Sequence, residues 1–199
     1  MGRNELSVRN PWQDYSGEHA SKAEKNFYRV FMKYFRGTDF CIREKPKEFK
    51  NIYVDYPLPP DIESGIYHPD EPVIHHGISP DYAIENLKTH KILYVEVKRQ
   101  DGWVEGKPRS AGRGNAHERA CKLFTPGLIN IYRHYGKIKP PALPFWLVFQ
   151  GDITRDPCRV REIHFWFSGS SPNFFLWNDR MTDNNLTDHF DNYLCPILL

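Results

Sequence analysis

The segment from Lys91 to Lys98 constrains the fold of this chain more than any other, because its side chains alternate as a β-strand requires. Alternation predicts one face with Ile92, Tyr94, Glu96 and Lys98 and another with Leu93, Val95 and Val97. A shorter run, Asp81 to Asn86, precedes it across a short polar connection. The two runs are therefore predicted to form a hairpin whose second strand ends in an acid and a lysine.

Helical signals occur on both sides of this hairpin, in the stretches Glu18 to Arg36, Asn115 to Phe124, Thr125 to Gly136 and Asn185 to Leu194. Gly37 is suited to end the first of these helices. Asn115, with Glu118 three residues later, forms a capping box for the second. The polar residues up to about position 15, which Pro11 interrupts, are predicted to form an arm or loop.

Further extended segments are predicted at Phe40 to Arg43, Asn51 to Val54, Phe145 to Gln150 and Glu162 to Phe167. The aromatic residues of the last two segments are expected in the core: Phe145, Trp146, Phe165, Trp166 and Phe167. The stretch from Pro57 to Pro80 holds six prolines and is predicted to be irregular. Strands mixed with helices in this order predict an α/β fold, with residues 1–199 as a single domain around a mixed central β-sheet flanked by helices.

Composition narrows the class of protein. The formal net charge is only +2, yet the range 98–122 holds seven Lys and Arg against three acids. Such an asymmetry suits one basic face, although chance fluctuation of charge along a chain explains it as well. No apolar run approaches the roughly 20 residues that span a bilayer, and the four cysteines include no CxxC pair. We therefore expect a soluble cytoplasmic protein with free thiols.

Asp81, Glu96 and Lys98 have the chemistry that phosphodiester hydrolysis uses. Mg²⁺ takes oxygen ligands, including one or two carboxylates, and acts as Lewis acid and water activator. If Asp81 starts one strand and Glu96 ends the next, both carboxylates reach one cation. The Lys98 ammonium then reaches the substrate phosphate that this cation binds. The alternative is a solvated hairpin face on which Glu96 and Lys98 pair weakly.

The segment from Arg113 to Arg119 carries residue types that read DNA bases. Asparagine reads adenine and arginine reads guanine through paired contacts, and a small alanine side chain suits the thymine methyl group. Glycine lets the backbone approach base edges closely. In the alternative interpretation, Glu118 only caps the helix and the two arginines contact phosphates. The predicted DNA-binding set is Arg113, Gly114, Asn115, Ala116, His117, Glu118 and Arg119.

Together, Asp81, Glu96-x-Lys98 and Gly114-Asn115-Ala116-x-Glu118-Arg119 resemble the motifs of type II restriction endonucleases of the PD-(D/E)xK superfamily, in the EcoRI-like branch. The stretch from Ser79 to Arg161 is similar to the MunI-type enzymes of that branch. The resemblance implies a restriction endonuclease-like fold and a homodimer that cuts palindromic duplex DNA with Mg²⁺, paired in the cell with a cognate DNA methyltransferase. It also implies catalytic residues and metal ligands, which are Asp81, Glu96, Lys98 and the carbonyl of Val97.

The resemblance further implies a target sequence. In this branch the Gly-Asn-Ala-x-Glu-Arg segment reads a central AATT, which implies that Asn115, Ala116, Glu118 and Arg119 face those bases or orient the segment. Arg113 stands where MunI-type enzymes have arginine, which implies an outer guanine and hence CAATTG, cut before the AATT to leave 5′ overhangs. Two other functions stay open: a DNA-binding protein with an unused nuclease site, and a structure-specific nuclease of the same superfamily.

Overall fold

The computed structural model describes residues 11–102 and 116–199, and describes side chains from residue 22 onward within those ranges. Five strands form one sheet in chain order: β1 (Phe40–Glu44), β2 (Tyr82–Asn86), β3 (Ile92–Arg99), β4 (Phe145–Gln150) and β5 (Phe174–Trp177). The pairs β1–β2 and β2–β3 are antiparallel, whereas β3–β4 and β4–β5 are parallel. The predicted α/β class with a mixed central sheet is therefore confirmed, and so is the hairpin.

The helices are α1 (Pro11–Tyr34), α2 (Pro60–Glu63), α3 (Ala116–Arg119), α4 (Pro126–Gly136), α5 (Pro157–Trp166), α6 (Asp183–His189) and α7 (Cys195–Leu198). A 3₁₀ turn, Ala120–Phe124, continues α3, and a π-helical turn, Phe190–Leu194, continues α6. The first helix begins well before Glu18, because proline is tolerated at a helix start, where its missing N–H leaves no bond unmade. The predicted arm is therefore wrong from Pro11 onward. Among the described residues, no helix is long and apolar enough to cross a membrane.

Apolar layers cover the two faces of the sheet. Leu93, Val95 and Val97 pack with α1 and the C-terminal helices in one buried cluster. Tyr94 packs on the opposite face in a second cluster, which includes residues of α4 and α5. The alternation predicted for β3 is therefore confirmed. A strand covered on both sides is held rigidly, which fixes the groups at its end.

The segment predicted as a strand from Glu162 to Phe167 is instead part of helix α5. Pro157 opens this helix, and the Asp156 carboxylate accepts a bond from the backbone of its first turn. Ile163 and Phe167 are four residues apart and both buried, whereas Phe165 between them is 79% exposed. The core prediction for Phe165 is therefore wrong.

One other predicted element is wrong, and one observed strand has no counterpart among the predictions. Asn51 to Val54 is a turn, closed by a 2.9 Å bond from the Val54 N–H to the Asn51 carbonyl, and is not a strand. Strand β5 was not predicted, since it has only four residues. Phe145 and Trp146 are buried as expected, and Trp166 is half-buried. The range 57–80 is irregular apart from the single turn of α2, and all four cysteines are free thiols.

Candidate functional site

The hairpin brings Asp81 to the end of β3. Asp81 directly precedes β2, and its neighbour Tyr82 lies opposite Val95 in the strand register. Because the strands are antiparallel, the start of β2 lies beside the end of β3. The Oδ2 atom of Asp81 accepts the backbone N–H of Val97 at 2.8 Å, and the side chain is 7% exposed. The first predicted carboxylate is therefore fixed to the backbone of the strand that carries the second.

One ammonium group joins the two carboxylates. Lys98 Nζ donates to Glu96 Oε1 at 2.6 Å and lies 3.7 Å from Asp81 Oδ2. Burial raises the pKa of Glu96; the nearby Lys98 opposes this rise, and Asp81 adds to it. The side chains of Glu96 and Lys98 are 12% and 24% exposed, so they do not form a solvated hairpin face. The structure thus brings together the three predicted catalytic residues.

Two charged residues that the sequence did not suggest complete this cluster. Lys45 Nζ lies 2.7 Å from Asp81 Oδ1 and 3.3 Å from Glu24 Oε2 of α1. The Lys45 N–H also donates to the Asp81 carbonyl at 3.0 Å, and its backbone has a positive φ of 42°. We call Asp81, Glu96, Lys98, Lys45 and Glu24 the catalytic cluster, after the role predicted for the first three. No local spacing connects Lys45 to Asp81, which lies 36 residues away in the sequence.

The donor set fits a hard divalent cation. Asp81 and Glu96 both contact the Lys98 ammonium, so their oxygens are within reach of a single positive charge. Two carboxylates, with a backbone carbonyl such as that of Val97 and water, are the ligands that Mg²⁺ uses. Within the described ranges, no group of three or more His, Cys, Asp or Glu side chains is placed to hold a metal. The fit to a hard cation therefore rests on the carboxylates of Asp81 and Glu96.

The predicted DNA-binding residues divide into two groups. Arg113, Gly114 and Asn115 lie outside the described residues, so the capping role of Asn115 stays a prediction. Ala116, His117, Glu118 and Arg119 form α3, in which Glu118 and Arg119 are exposed and Ala116 is half-buried. The side chain of His117 is fully buried. The turn therefore presents two charged side chains to solvent and turns the histidine inward.

His117 anchors α3 to two other elements. The backbone N–H of His117 donates to Gln100 Oε1 at 2.9 Å. In its ring, Nδ1 lies 3.1 Å from Gln100 Nε2 and Nε2 lies 2.9 Å from Glu162 Oε2. The ring also stacks on Trp166 of α5, with the centroids 5.5 Å apart. Burial and the nearby Arg159 lower the pKa of His117, so the ring is neutral near pH 7. Since a carboxylate only accepts, Nε2–H donates to Glu162 and Nδ1 accepts from Gln100.

Comparison with known proteins identifies the group to which the chain belongs. A family model, that of the type II restriction enzyme MunI, matches residues 1–199. The type II restriction enzyme MunI of Mycoplasma sp is 54% identical over 197 residues, which are 98% of each chain. The solved structure of MunI restriction endonuclease in complex with cognate DNA matches with a TM-score of 0.81 and 52% identity, covering 98% of this chain and 100% of that one.

The chain belongs to the MunI family of type II restriction enzymes. It is therefore a restriction endonuclease that acts on DNA, which confirms the resemblance and the enzyme class predicted from the motifs. In this MunI-family chain, Gln100 lies two residues after Lys98, so the residue that anchors α3 directly follows strand β3.

A further ion-pair network restrains the exposed side of α3. Arg159 Nη1 lies 2.9 Å from Glu162 Oε2 and 3.4 Å from Glu118 Oε1. Glu162 therefore receives bonds from both His117 and Arg159, and these bonds, led by that of Arg159, lower the pKa of Glu162. Glu118, whose side chain is 49% exposed, pairs with Arg159 on the solvent-exposed side of α3. Helix α5 thus contacts both the buried and the exposed residues of α3, a role that the strand prediction for this segment did not suggest.

Proposed function

We propose that this chain is a Mg²⁺-dependent endonuclease that cuts duplex DNA at CAATTG, before the AATT, and leaves 5′ overhangs. The observation that carries the proposal is the convergence of Asp81, Glu96 and Lys98 around one charge at the ends of β2 and β3. The motif segment that begins with Arg113 supports the target sequence, because its residue types are those that read A·T and G·C pairs in the major groove.

In this proposal Asp81, Glu96 and the Val97 carbonyl hold the Mg²⁺ ion. When bound, the ion supplies Lewis acidity and a site for the attacking water. The Val97 N–H holds Asp81 in place at 2.8 Å, so this carboxylate is oriented before substrate arrives. Lys98 extends its ammonium between the two carboxylates, where it offers hydrogen bonds to a phosphate oxygen and stabilises the negative charge that develops there.

Base reading is assigned to the motif segment. Arg113 reads the outer guanine, and Gly114, Asn115, Ala116, Glu118 and Arg119 face or approach the AATT bases. The exposure of Glu118 and Arg119 on α3 supports their share in this set. His117, as a member of the same segment, contributes through its buried contacts with Gln100 and Glu162.

The assembly and cellular setting belong to the same proposal. A palindromic site has two-fold symmetry, which two copies of the chain match as a homodimer. We place this dimer in the cytoplasm, with residues 1–199 acting as one domain and a cognate DNA methyltransferase protecting host sites. The solved structure of MunI is a complex with cognate DNA, which supports duplex DNA as the partner.

The test is digestion of a DNA of known sequence with Mg²⁺, followed by sequencing of the cut ends, with the Asp81→Asn variant as a matched control. We expect cuts only before the AATT of CAATTG, and none with the variant or with a chelator. Cuts within another hexamer overturn the specificity. Binding to CAATTG without cleavage supports a DNA-binding protein, and cleavage of flaps or bubbles regardless of sequence supports a structure-specific nuclease.

A further inference from the structure

A polar groove of about 510 Å³ lies beside the catalytic cluster, on the α1 side of the sheet. Lys22, Lys25, Asn26 and Arg29 of α1 form one wall, and Arg99 and Gln150 at the ends of β3 and β4 form the other, together with one acid, Asp179. The sequence motifs did not point to these residues, and none of them belongs to the catalytic cluster or to α3.

The spacing of the α1 residues gives this wall a fixed shape. Lys22, Lys25 and Arg29 recur at intervals of three and four residues, which places them on one face of the helix. The opposite face is buried in the core through Ala23 and Phe27. The cationic side chains therefore extend from a helix that the core holds in place.

The charge of the groove is predominantly positive. Arg99 contacts Asp101 at 2.8 Å and Asp179 at 3.5 Å, and Arg29 contacts Asp183 at 3.4 Å. These acids are about half exposed or more, and ion pairs in such positions contribute little to stability.

Lys22 and Lys25 make no ion pair within the described part of the chain. Two ammonium groups are thus left to bind an anionic partner, and the arginine pairs are weak enough to exchange for it.

Each wall contains a residue that adjoins the catalytic cluster in the sequence. Arg99 follows Lys98, and Lys25 follows Glu24, which bonds to Lys45 beside Asp81. Consecutive Cα atoms are about 3.8 Å apart. A DNA strand carries one phosphate for about every 3.4 Å of helix rise. Side chains alternate along β3, so Arg99 faces α1 whereas Lys98 faces the other side of the sheet. A duplex that crosses this end of the sheet and extends beyond the target therefore brings further phosphates to the groove.

We propose that this groove binds the sugar-phosphate backbone of duplex DNA outside the recognition site, without reading its sequence. The inference rests on the proposed function, because it takes DNA as the substrate of the neighbouring cluster. Fixed lysines contribute affinity and position the duplex through phosphate contacts, whereas base identity is read elsewhere. The groove thus extends the bound length of DNA beyond the six base pairs of the proposed target.

The test compares the full-length protein with its Lys22→Gln/Lys25→Gln variant. Binding is measured by fluorescence anisotropy with Ca²⁺, on a long CAATTG duplex and on a duplex trimmed close to the site. On the long duplex we expect weaker binding and a slope of log affinity against log salt that is smaller by about 2, roughly one unit for each lysine. On the trimmed duplex, and in the preference for CAATTG over a one-base variant, we expect no change.

A Lys33→Gln/Arg36→Gln variant removes the same charge near the end of α1, outside the groove, and controls for overall electrostatics. An unchanged salt slope, an equal loss on both duplexes or an equal loss in this control overturns the proposal. The proposal is also overturned if inorganic phosphate, at matched ionic strength, displaces DNA from the wild type but not from the Lys22→Gln/Lys25→Gln variant. That result would assign the groove to free phosphate. Failure of the wild type to cut CAATTG is a separate result, which refutes the proposed function and leaves the duplex-length comparison intact.

Discussion

The catalytic cluster and α3 are held in position by different kinds of contact. Four of the five charged residues of the cluster lie at or next to the ends of sheet strands, where two carboxylates meet the ammonium of Lys98 within 3.7 Å. Helix α3 is anchored by uncharged contacts of one buried ring, that of His117, to Gln100 and Trp166, with a carboxylate at its far side. The sheet backbone positions the first region, whereas side chains position the second.

This difference follows from the size of the two elements. A helix of four residues forms too few backbone hydrogen bonds to be stable alone, so its placement depends on tertiary contacts. Strand β3 pairs on both sides and is buried on both faces. Changing a charge in the cluster is therefore expected to alter chemistry and leave the fold intact. Changing the anchor of α3 is expected to alter where the recognition residues lie.

The largest effect is expected from Asp81→Asn. The amide keeps an oxygen for the Val97 N–H but removes the charge that holds a divalent cation, so cleavage should fall about 10³-fold or more, as loss of several kcal/mol of transition-state stabilisation requires. The measurement is single-turnover cleavage of a CAATTG duplex, with thermal unfolding to show that the fold survives. Asp39→Asn, an exposed carboxylate away from the cluster, is the control. If the Asp81→Asn variant cleaves as fast as the wild type, Asp81 is not part of the metal site.

The next largest effect is expected from His117→Phe, for which His189→Phe is a matched control. His189 also stacks on a tryptophan, Trp146, with centroids 5.7 Å apart, and its one hydrogen bond to another described residue is with the Pro172 carbonyl. Phenylalanine preserves both stacks but leaves the Gln100 amide without its His117 partner on Nδ1. A shift of about 1 Å near a reacting centre costs about 10²-fold, and we expect a loss of that order in cleavage at CAATTG for His117→Phe alone.

The readout is kcat/KM for CAATTG and for a one-base variant, measured where both proteins are folded. Loss of stability of about 1 to 3 kcal/mol is expected from the unmade bonds at His117. If the two variants lose cleavage in proportion to their stability, His117 has only a structural role. Unequal loss at equal stability supports a positioning role for the anchor.

The two regions also differ in how far the sequence predicts them. Asp81, Glu96 and Lys98 were found from sequence because strand alternation is a local pattern and the three residues belong to one hairpin. Lys45 and Glu24 were missed, since the contacts of Lys45 with Asp81 and with Glu24 join distant segments that only the sheet and α1 bring together. Neither contact can be recognised from the spacing of residues in the sequence.

The anchor of α3 was missed for a second reason. The aromatic run that ends at Phe167 was interpreted as a strand, so Trp166 and Glu162 were not expected to face a helix. The signal that identifies α5 was present, because Asp156 followed by Pro157 is a capping residue with a favoured first helical position. The aromatic residues of the segment favour a strand, and this preference led to the wrong prediction. The helical spacing of Ile163 and Phe167 agrees with their observed burial.

A smaller effect is expected from Lys45→Met within the catalytic cluster. The Lys45 ammonium contacts Asp81 Oδ1 at 2.7 Å and is therefore a competitor for a cation at that oxygen. Because this lysine is about half exposed, the pair contributes about 1 kcal/mol at most, which limits the gain in cation affinity to about fivefold. Calorimetric titration of DNA-free protein with Ca²⁺ measures the change, and Lys33→Met is the control. Weaker Ca²⁺ binding would show that Lys45 orients Asp81 and does not compete.

The smallest effect concerns the pH dependence of stability. Burial lowers the pKa of His117 and of His189, so each ring binds a proton less readily in the folded chain than in the unfolded one. As pH falls below about 6.5, the ordinary histidine value, the unfolded chain takes up protons first and the free energy of unfolding decreases. Chemical denaturation between pH 7.5 and about 5 should show this slope in the wild type and a flatter one in His117→Phe/His189→Phe. Either single variant should remove part of the slope, so the single variants provide the test if the double variant does not fold. Parallel curves for all the proteins would mean that neither ring is held neutral, and the donor and acceptor roles assigned to His117 would then be wrong.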